Sequence, residues 1–380
     1  MSPPSPLSSL LQQLSKLHGP DASSAMSLPP GCYVEPDFLA LEVDRVFRGA
    51  WLCVGRAADI AEAGDQMSYE SPVGPVMAVR QKDGSVKTLS RVCRHRAALV
   101  GSDGVGSSRL LVCPYHKWVY ELDGQLRGAP GMAADFEREA CRLPDYRTEI
   151  WAGFVFFNTD PDAGPLADKL APHAARIARH DLEDLATRFV IDERWAANWK
   201  VAFENSCETY HHMGVHRQTL EPAFPTAGVV CEDGGPAFNL HSAPAAAGFS
   251  FERPHAQSLL NDDDLQRLTI LGIYPNLVLA FSGPNVTWFR FTPQGPGACD
   301  LRVGWLGPAS LTPDADALAR ERAILEAILA EDRVSCAGVQ RGLSSLDAAP
   351  GPLSPLEATI GQFARYLAAK ILASEGGQDD

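Results

Sequence analysis

Between Cys93 and His116 the chain reads CRHRAALVGSDGVGSSRLLVCPYH: a Cys-x-His, seventeen further residues, then a Cys-x-x-His. Two thiols and two imidazoles in so short a stretch can serve one centre only if the backbone brings two small loops together. The flanking sequence supplies the means. In VMAVRQKDGSVKTL, apolar residues stand on both sides of Asp83-Gly84, and KWVYELDGQL repeats the device at Asp123-Gly124. Both are hairpin signals. Pro114 stiffens the second loop, and Trp118 is placed to keep water from whatever the loops hold. WAGFVFFNTDP, from Trp151 to Pro161, reads as a buried strand ending in a turn.

The pattern divides the 380 residues into a helical or flexible segment (1–32), an all-β domain (33–160), a larger α+β domain (161–372) and a disordered tail (373–380). Leu7, Leu10, Leu11, Leu14 and Leu17 recur at helical spacing, with Gly19 as a stop, so the first segment is expected to dock as an amphipathic helix. In the larger domain, helices are expected over Leu166–His180 and Trp199–Gly214, followed by strands in ILGIYPNLVLAFS and VTWFRFTP. A long helix is expected after Thr312-Pro313-Asp314, running close to Gln340 with Gly342 as its stop, and a last helix near Leu356–Leu372. The expected fold class is therefore α+β, with an antiparallel sheet flanked by helices in the larger domain.

A net charge of −14 argues against a nucleic-acid or anionic-membrane surface. Nine scattered cysteines make no disulfide framework and suit a reducing compartment, so a cytoplasmic location is expected. The N-terminus lacks a basic region and a continuous apolar core, and no apolar run approaches the roughly 20 residues of a membrane span.

Cys93, His95, Cys113 and His116 have the right donors for structural zinc, but zinc modules usually pair like with like. One Cys and one His from each loop suit a two-iron cluster in which one iron takes both thiolates and the other both imidazoles. With CPYHKW following, the chain resembles the terminal alpha subunits of the Rieske-type non-haem iron oxygenases. Ala97 stands where many members carry Gly, a change expected to touch turn geometry and not ligation.

A cluster alone would make an electron carrier, so the discriminating question is whether there is a second iron site. NWKVAFENSCETYHHMGVH holds Glu208, His211, His212 and His216. Glu208 and His211, three apart, are expected to share a helix face. His216, about 140° off that face, has to fold back after Gly214. Two imidazoles and a carboxylate form the facial triad of non-haem Fe(II) oxygenases. The resemblance maps His211 and His216 to iron ligands and Glu208 to the carboxylate that bridges toward a neighbouring subunit's cluster histidine. His212 is read as solvent-facing or behind the ligands.

For the missing acid, the long helix places Leu318, Leu325, Ile328, Cys336 and Val339 on one stripe with Asp332 in its gap. An acid on an apolar face is costly unless it is paired or binds metal. Asp332 is the expected ligand, with an ion pair to Arg302 as the alternative; Glu331, about 100° away, is expected to reach solvent. The resemblance implies one [2Fe-2S] cluster, one mononuclear Fe(II), O₂ as co-substrate, a separate NAD(P)H-dependent flavin or iron–sulfur reductase, and a homotrimer. Glu208 and the likeness to choline-, carnitine- and betaine-type oxygenases favour a small quaternary amine as substrate. An aromatic acid is the alternative, and arginines facing the cavity would favour it. Phe203, Phe249, Phe251, Tyr274, Phe281, Trp288 and Phe289 are expected to be mostly core, with a few lining a pocket.

Overall fold

The computed structural model describes residues 6–19, 25–254, 257 and 259–373. The expected tail lies, from residue 374 on, outside the described residues, as do residues 1–5 and 20–24 of the N-terminal segment. The chain forms two compact units: Phe47–Asp168, and Met1–Val46 together with Lys169–Asp380.

The smaller unit is built of β1 (Leu52–Arg56), β2 (Asp65–Ser71), β3 (Gly74–Arg80), β4 (Val86–Ser90), β5 (Val105–Ser107), β6 (Leu111–Val112), β7 (Val119–Tyr120), β8 (Leu126–Gly128), β9 (Asp145–Trp151) and β10 (Phe154–Asn158). They form a seven-stranded sheet in the order β1-β10-β9-β4-β3-β2-β5 and a three-stranded sheet β6-β7-β8. Both expected hairpins are present. Gly84 and Gly124 take φ of 85° and 89°, and Asp83 and Asp123 each accept the backbone N–H two residues on. The segment from Trp151 to Pro161 is not one strand. Ala152 and Gly153 both have positive φ and turn the chain from β9 into β10, whose Phe154–Phe157 run is fully buried between β1 and β9.

The larger unit holds β11 (Leu185–Trp195), β12 (Val230–Cys231), β13 (Phe238–Pro244), β14 (Arg267–Ile273), β15 (Leu277–Ser282), β16 (Asn285–Pro293) and β17 (Cys299–Pro308). Their order, β11-β17-β16-β15-β14-β13-β12, is antiparallel throughout. Helix Ala358–Leu372 packs on β13, helix Trp199–Ser206 on β16 and β17, and helix Ala315–Leu343 on β11 and on Trp199–Ser206. The N-terminal helix Pro6–His18 docks on Ala358–Leu372 and buries Leu10 and Leu14. This is the expected α+β class, an all-β domain and a separate unit whose sheet is flanked by helices.

Several local expectations are corrected. Residues 33–46 pack in the larger unit. Tyr33 donates its hydroxyl proton to Glu204 at 2.9 Å, Asn198 donates to the Tyr33 carbonyl, and buried Lys200 lies 2.8 Å from buried Glu42. Leu166–His180 is interrupted around Pro172. The helix from Trp199 ends at Ser206; the His211 N–H that a continued helix would give the Cys207 carbonyl goes to Glu208, and that carbonyl accepts the Thr359 hydroxyl. In the long helix, Asp314 is the cap, accepting from the Ala317 N–H, so Pro313 precedes the cap and Gly342 lies inside the last turn.

Candidate active site

The two Cys/His loops have one shape. Residue 97 donates its N–H to the Cys93 carbonyl and residue 117 to the Cys113 carbonyl, both at 3.1 Å, while the Cys93 and Cys113 N–H groups bond to the carbonyls of Ala98 and Trp118. Closing each loop this way puts Ala97 and Lys117 in the left-handed region, at φ 58° and 59°. A glycine there would be unstrained, which is the physical content of the Ala97 departure. The thiols point inward: Cys93 and Cys113 are buried in a core with Leu89, Val100, Leu111 and Tyr120. His95 is exposed, its ring 4.6 Å from that of His116 and stacked on buried Trp118 at 4.9 Å. His116 Nδ1 is buried with no hydrogen-bond partner, the state expected of a ligand atom. Tyr120 accepts the Arg94 N–H at 3.1 Å and lies 3.2 Å from Cys93 Sγ, so its own proton faces the sulfur. Two buried thiols and two outward imidazoles fit a Rieske cluster.

In the larger unit, Glu208 and His211 sit beyond the helix end, on a 3-10 turn over Tyr210–Met213. Glu208 accepts the His211 N–H and lies 2.5 Å from His211 Nδ1, so the three-residue contact survives without a continuous helix. His216 returns through hydrogen bonds of the 215 and 216 N–H groups to the carbonyls of His211 and His212. Across from them stands Asp332. Its Oδ1 is 2.9 Å from His216 Nε2 and 3.5 Å from His211 Nε2, yet it is buried without an aligned donor. Ligand atoms at right angles about 2.1 Å from one ion are about 3 Å apart, so the trio fits a metal better than it fits a hydrogen-bonded cluster.

The electrostatics agree. Burial alone would lower the His211 imidazole, but the carboxylates of Asp332 and Glu208 hold it up at about 10. Burial likewise opposes charge on His216, and Asp332 and Glu331 raise it. Burial pushes Asp332 up, and the two imidazoles outweigh it, leaving the acid far below the usual carboxylate range. Cationic imidazoles around an ionised carboxylate are an arrangement in which a divalent cation replaces protons.

Asp332 lies on the buried stripe of its helix, whose members are Leu325, Leu329, Cys336 and Gln340; Ile328 is half-buried and Val339 exposed. Arg302 pairs with Asp192, not Asp332. Glu331 does not reach for solvent: its Oε2 accepts from Thr219 at 2.7 Å and lies 2.7 Å from His216 Nδ1. The helical wheel gave no sign of this, because His216 approaches from another segment. His212 is not solvent-facing either; it is buried.

Glu208, His211, His212, His216 and Asp332 line one cavity of about 380 Å³. The remaining wall is mainly apolar, with Phe224, Phe249, Phe251, Phe289 and Trp305. Phe224, Phe249 and Phe251 form a cluster with ring centroids 5.2–6.1 Å apart. Phe203, Tyr274, Phe281 and Trp288 are buried core. Among the described lining residues there is no Lys or Arg.

A chain that carries both a Rieske-type cluster domain and an imidazole–carboxylate metal site has the make-up of an iron-dependent oxidoreductase. Residues 50–147 match the Rieske [2Fe-2S] domain, and residues 172–373, more than half of the chain, match the catalytic domain of the ring-hydroxylating alpha subunits. The chain belongs to this family of Rieske-type non-haem iron oxygenases. It is 28% identical over 364 residues to the glycine betaine monooxygenase oxygenase subunit of Chromohalobacter salexigens, covering 86% of this chain and 82% of that one. It is 30% identical over 289 residues to the biphenyl 2,3-dioxygenase alpha subunit of Rhodococcus jostii, covering 71% and 57%. A quaternary ammonium Rieske monooxygenase solved for its carnitine oxidation and inter-subunit electron transfer superposes with a TM-score of 0.80 at 22% identity, over 94% of this chain and 98% of that one. No helix among the described residues is long and apolar enough to cross a membrane.

Proposed function

We propose that this chain is a terminal oxygenase that hydroxylates or N-dealkylates a small quaternary ammonium compound. The observation that carries the substrate class is the cavity wall: aromatic faces attract a trimethylammonium group, and no Lys or Arg among the described lining residues repels it. A neutral arene is the second reading, favoured by the same apolar wall and by the biphenyl dioxygenase relative.

In this reading Cys93 and Cys113 hold one iron of the [2Fe-2S] cluster and His95 and His116 the other, while His211, His216 and Asp332 hold Fe(II). The bound irons supply electron storage and oxygen activation. The chain's own residues orient and enclose. With the metal in place, Glu208 would accept a hydrogen bond from the Nδ1–H of His211 and Glu331 one from that of His216, so each ring would present Nε2 to the centre. The phenylalanines exclude water and position the reacting C–H bond. We further infer that a separate NAD(P)H-dependent reductase feeds the cluster. Glu208 then links His211 to a cluster histidine of a neighbouring protomer in a trimer.

Anaerobically purified protein should contain about three irons to two acid-labile sulfides per chain. With a compatible reductase it should oxidise a quaternary amine such as choline, betaine or carnitine, releasing formaldehyde where an N-methyl group is attacked and an aldehyde product where another carbon is, and His211→Ala should abolish this turnover while keeping the cluster spectrum. Turnover of biphenyl-type arenes without turnover of any quaternary amine would favour the second reading. Two irons to two sulfides, unchanged by added ferrous iron, would sink the oxygenase assignment.

A further inference from the structure

We propose, resting on the quaternary-amine reading above, that Glu321 is the specificity-determining carboxylate of the cavity and selects cationic substrates at its mouth.

Three acids line the cavity: Glu208, Glu321 and Asp332. Two are committed to the metal site, Glu208 to His211 and Asp332 to both imidazoles. Glu321 is half-buried, and no described residue gives it a hydrogen bond or an ion pair. Its neighbours on the long helix are otherwise engaged: Arg322 donates to Glu326 at 2.8 Å, and Glu331 serves Thr219 and His216. Glu321 faces inward with Leu325, Ile328 and Asp332, because eleven residues of α-helix bring position 332 to within about 20° of position 321. A carboxylate on that apolar face lacks a counter-charge that a cationic substrate would supply.

The surroundings suit such a cation. Arg322 lies 5.5 Å over the Phe189 ring, and that ring stacks in parallel on Trp305 at 6.2 Å, which ties this turn of the helix to the Trp305 wall. Trp305 pairs with Thr287 across the sheet and Phe289 with Val303, so the two aromatic residues are diagonal neighbours on the cavity face. This end is also the open one, since the lining residue Ile324 is 61% exposed.

Three helical turns separate Glu321 from Asp332, about 16 Å along the axis, and both side chains lean toward the helix N-terminus, which preserves that separation. A substrate of choline size reacting at the metal therefore cannot touch Glu321. The carboxylate acts on capture: it draws the cation to the mouth and still attracts it once bound. Over about 12 Å at an effective dielectric of about 20–40, one unit charge changes affinity by about 3–10-fold.

The test pairs each quaternary amine with its neutral carbon isostere, choline with 3,3-dimethylbutan-1-ol and betaine with 3,3-dimethylbutanoate, on full-length iron-loaded protein with a compatible reductase. In Glu321→Gln, kcat/KM and calorimetric affinity for the amine that the wild type uses should fall about 3–10-fold, with KM moving more than kcat, while the isostere changes by less than twofold. Glu321→Lys should widen the gap. The selectivity ratio within one preparation is independent of how much protein is active, so partial misfolding cannot imitate the result. Amine and isostere falling together, which a packing role would produce, or neither falling, would overturn the assignment of Glu321 while the quaternary-amine reading stood. A wild type that turned over arenes and no quaternary amine would remove that reading and this inference with it.

Discussion

In the smaller unit four candidate ligands lie within 24 residues, on two loops of identical hydrogen-bonding pattern; in the larger, the three that converge stand at positions 211, 216 and 332. The cluster loops hold their ligands through backbone geometry, closed by left-handed residues at 97 and 117. The mononuclear site holds its imidazoles through side chains, with Glu208 behind His211 and Glu331 behind His216. A centre built from local turns tolerates change in distant elements. One built across a fold fails when a single remote side chain goes.

The strongest way to break the contrast is Asp332→Ala. Mononuclear metal and turnover should be lost by more than the roughly 10–100-fold typical of an outer hydrogen-bond partner, while the cluster's visible and EPR spectra persist. Metal analysis and spectroscopy on one preparation would decide it, and loss of the cluster as well would show that the centres are not independently built. Glu331→Gln should weaken metal retention by about 10–100-fold, since His216 loses its orienting carboxylate. An unchanged affinity would reduce Glu331 to a surface acid.

Metal uptake should also rise with pH. His211 of the metal-free chain is held at about 10 and His216 is raised, so below that range the incoming ion must displace protons. Apparent cobalt affinity is therefore expected to climb between pH 6 and 8, and a flat profile would count against protonated imidazoles. The same shifts bear on stability without metal. The raised His211 contributes fully below about pH 6.5, and its contribution is lost as pH rises through about 10. Asp332, depressed in the fold, contributes above its unfolded value near 4 and loses that contribution as pH falls through its folded value.

Smaller effects probe the loops. Tyr120→Phe removes the proton facing Cys93 Sγ and should lower the cluster's reduction potential by something on the order of tens of millivolts, measurable by redox titration. Ala97→Gly relieves a left-handed alanine and should raise the smaller unit's thermal midpoint by about 1–3 °C, since part of the gain is returned as unfolded-state entropy. A lower midpoint would mean that the loop's strain lies elsewhere.

What was legible in the sequence was local. Cys93, His95, Cys113 and His116 announced themselves by spacing, and Asp83-Gly84 and Asp123-Gly124 announced hairpins, because ligand spacing and turn chemistry act over a few residues. Helical periodicity was enough to place Asp332 on a buried face, although the stripe runs through Leu329 and Gln340 and not through Ile328 and Val339. Contacts made between distant segments were not legible. Glu331 looked like a solvent-facing neighbour until His216 came to meet it, and the Cys207 carbonyl just past the helix from Trp199 is met by the hydroxyl of Thr359, from far along the chain. Residues 33–46 joined the larger unit through Tyr33, Glu42 and Lys200, a buried polar network that no periodicity encodes. Sequence determines the ligand inventory and the local turns, because these depend on neighbours along the chain. Which carboxylate stands behind which imidazole depends on neighbours in space, and only the tertiary structure decides it.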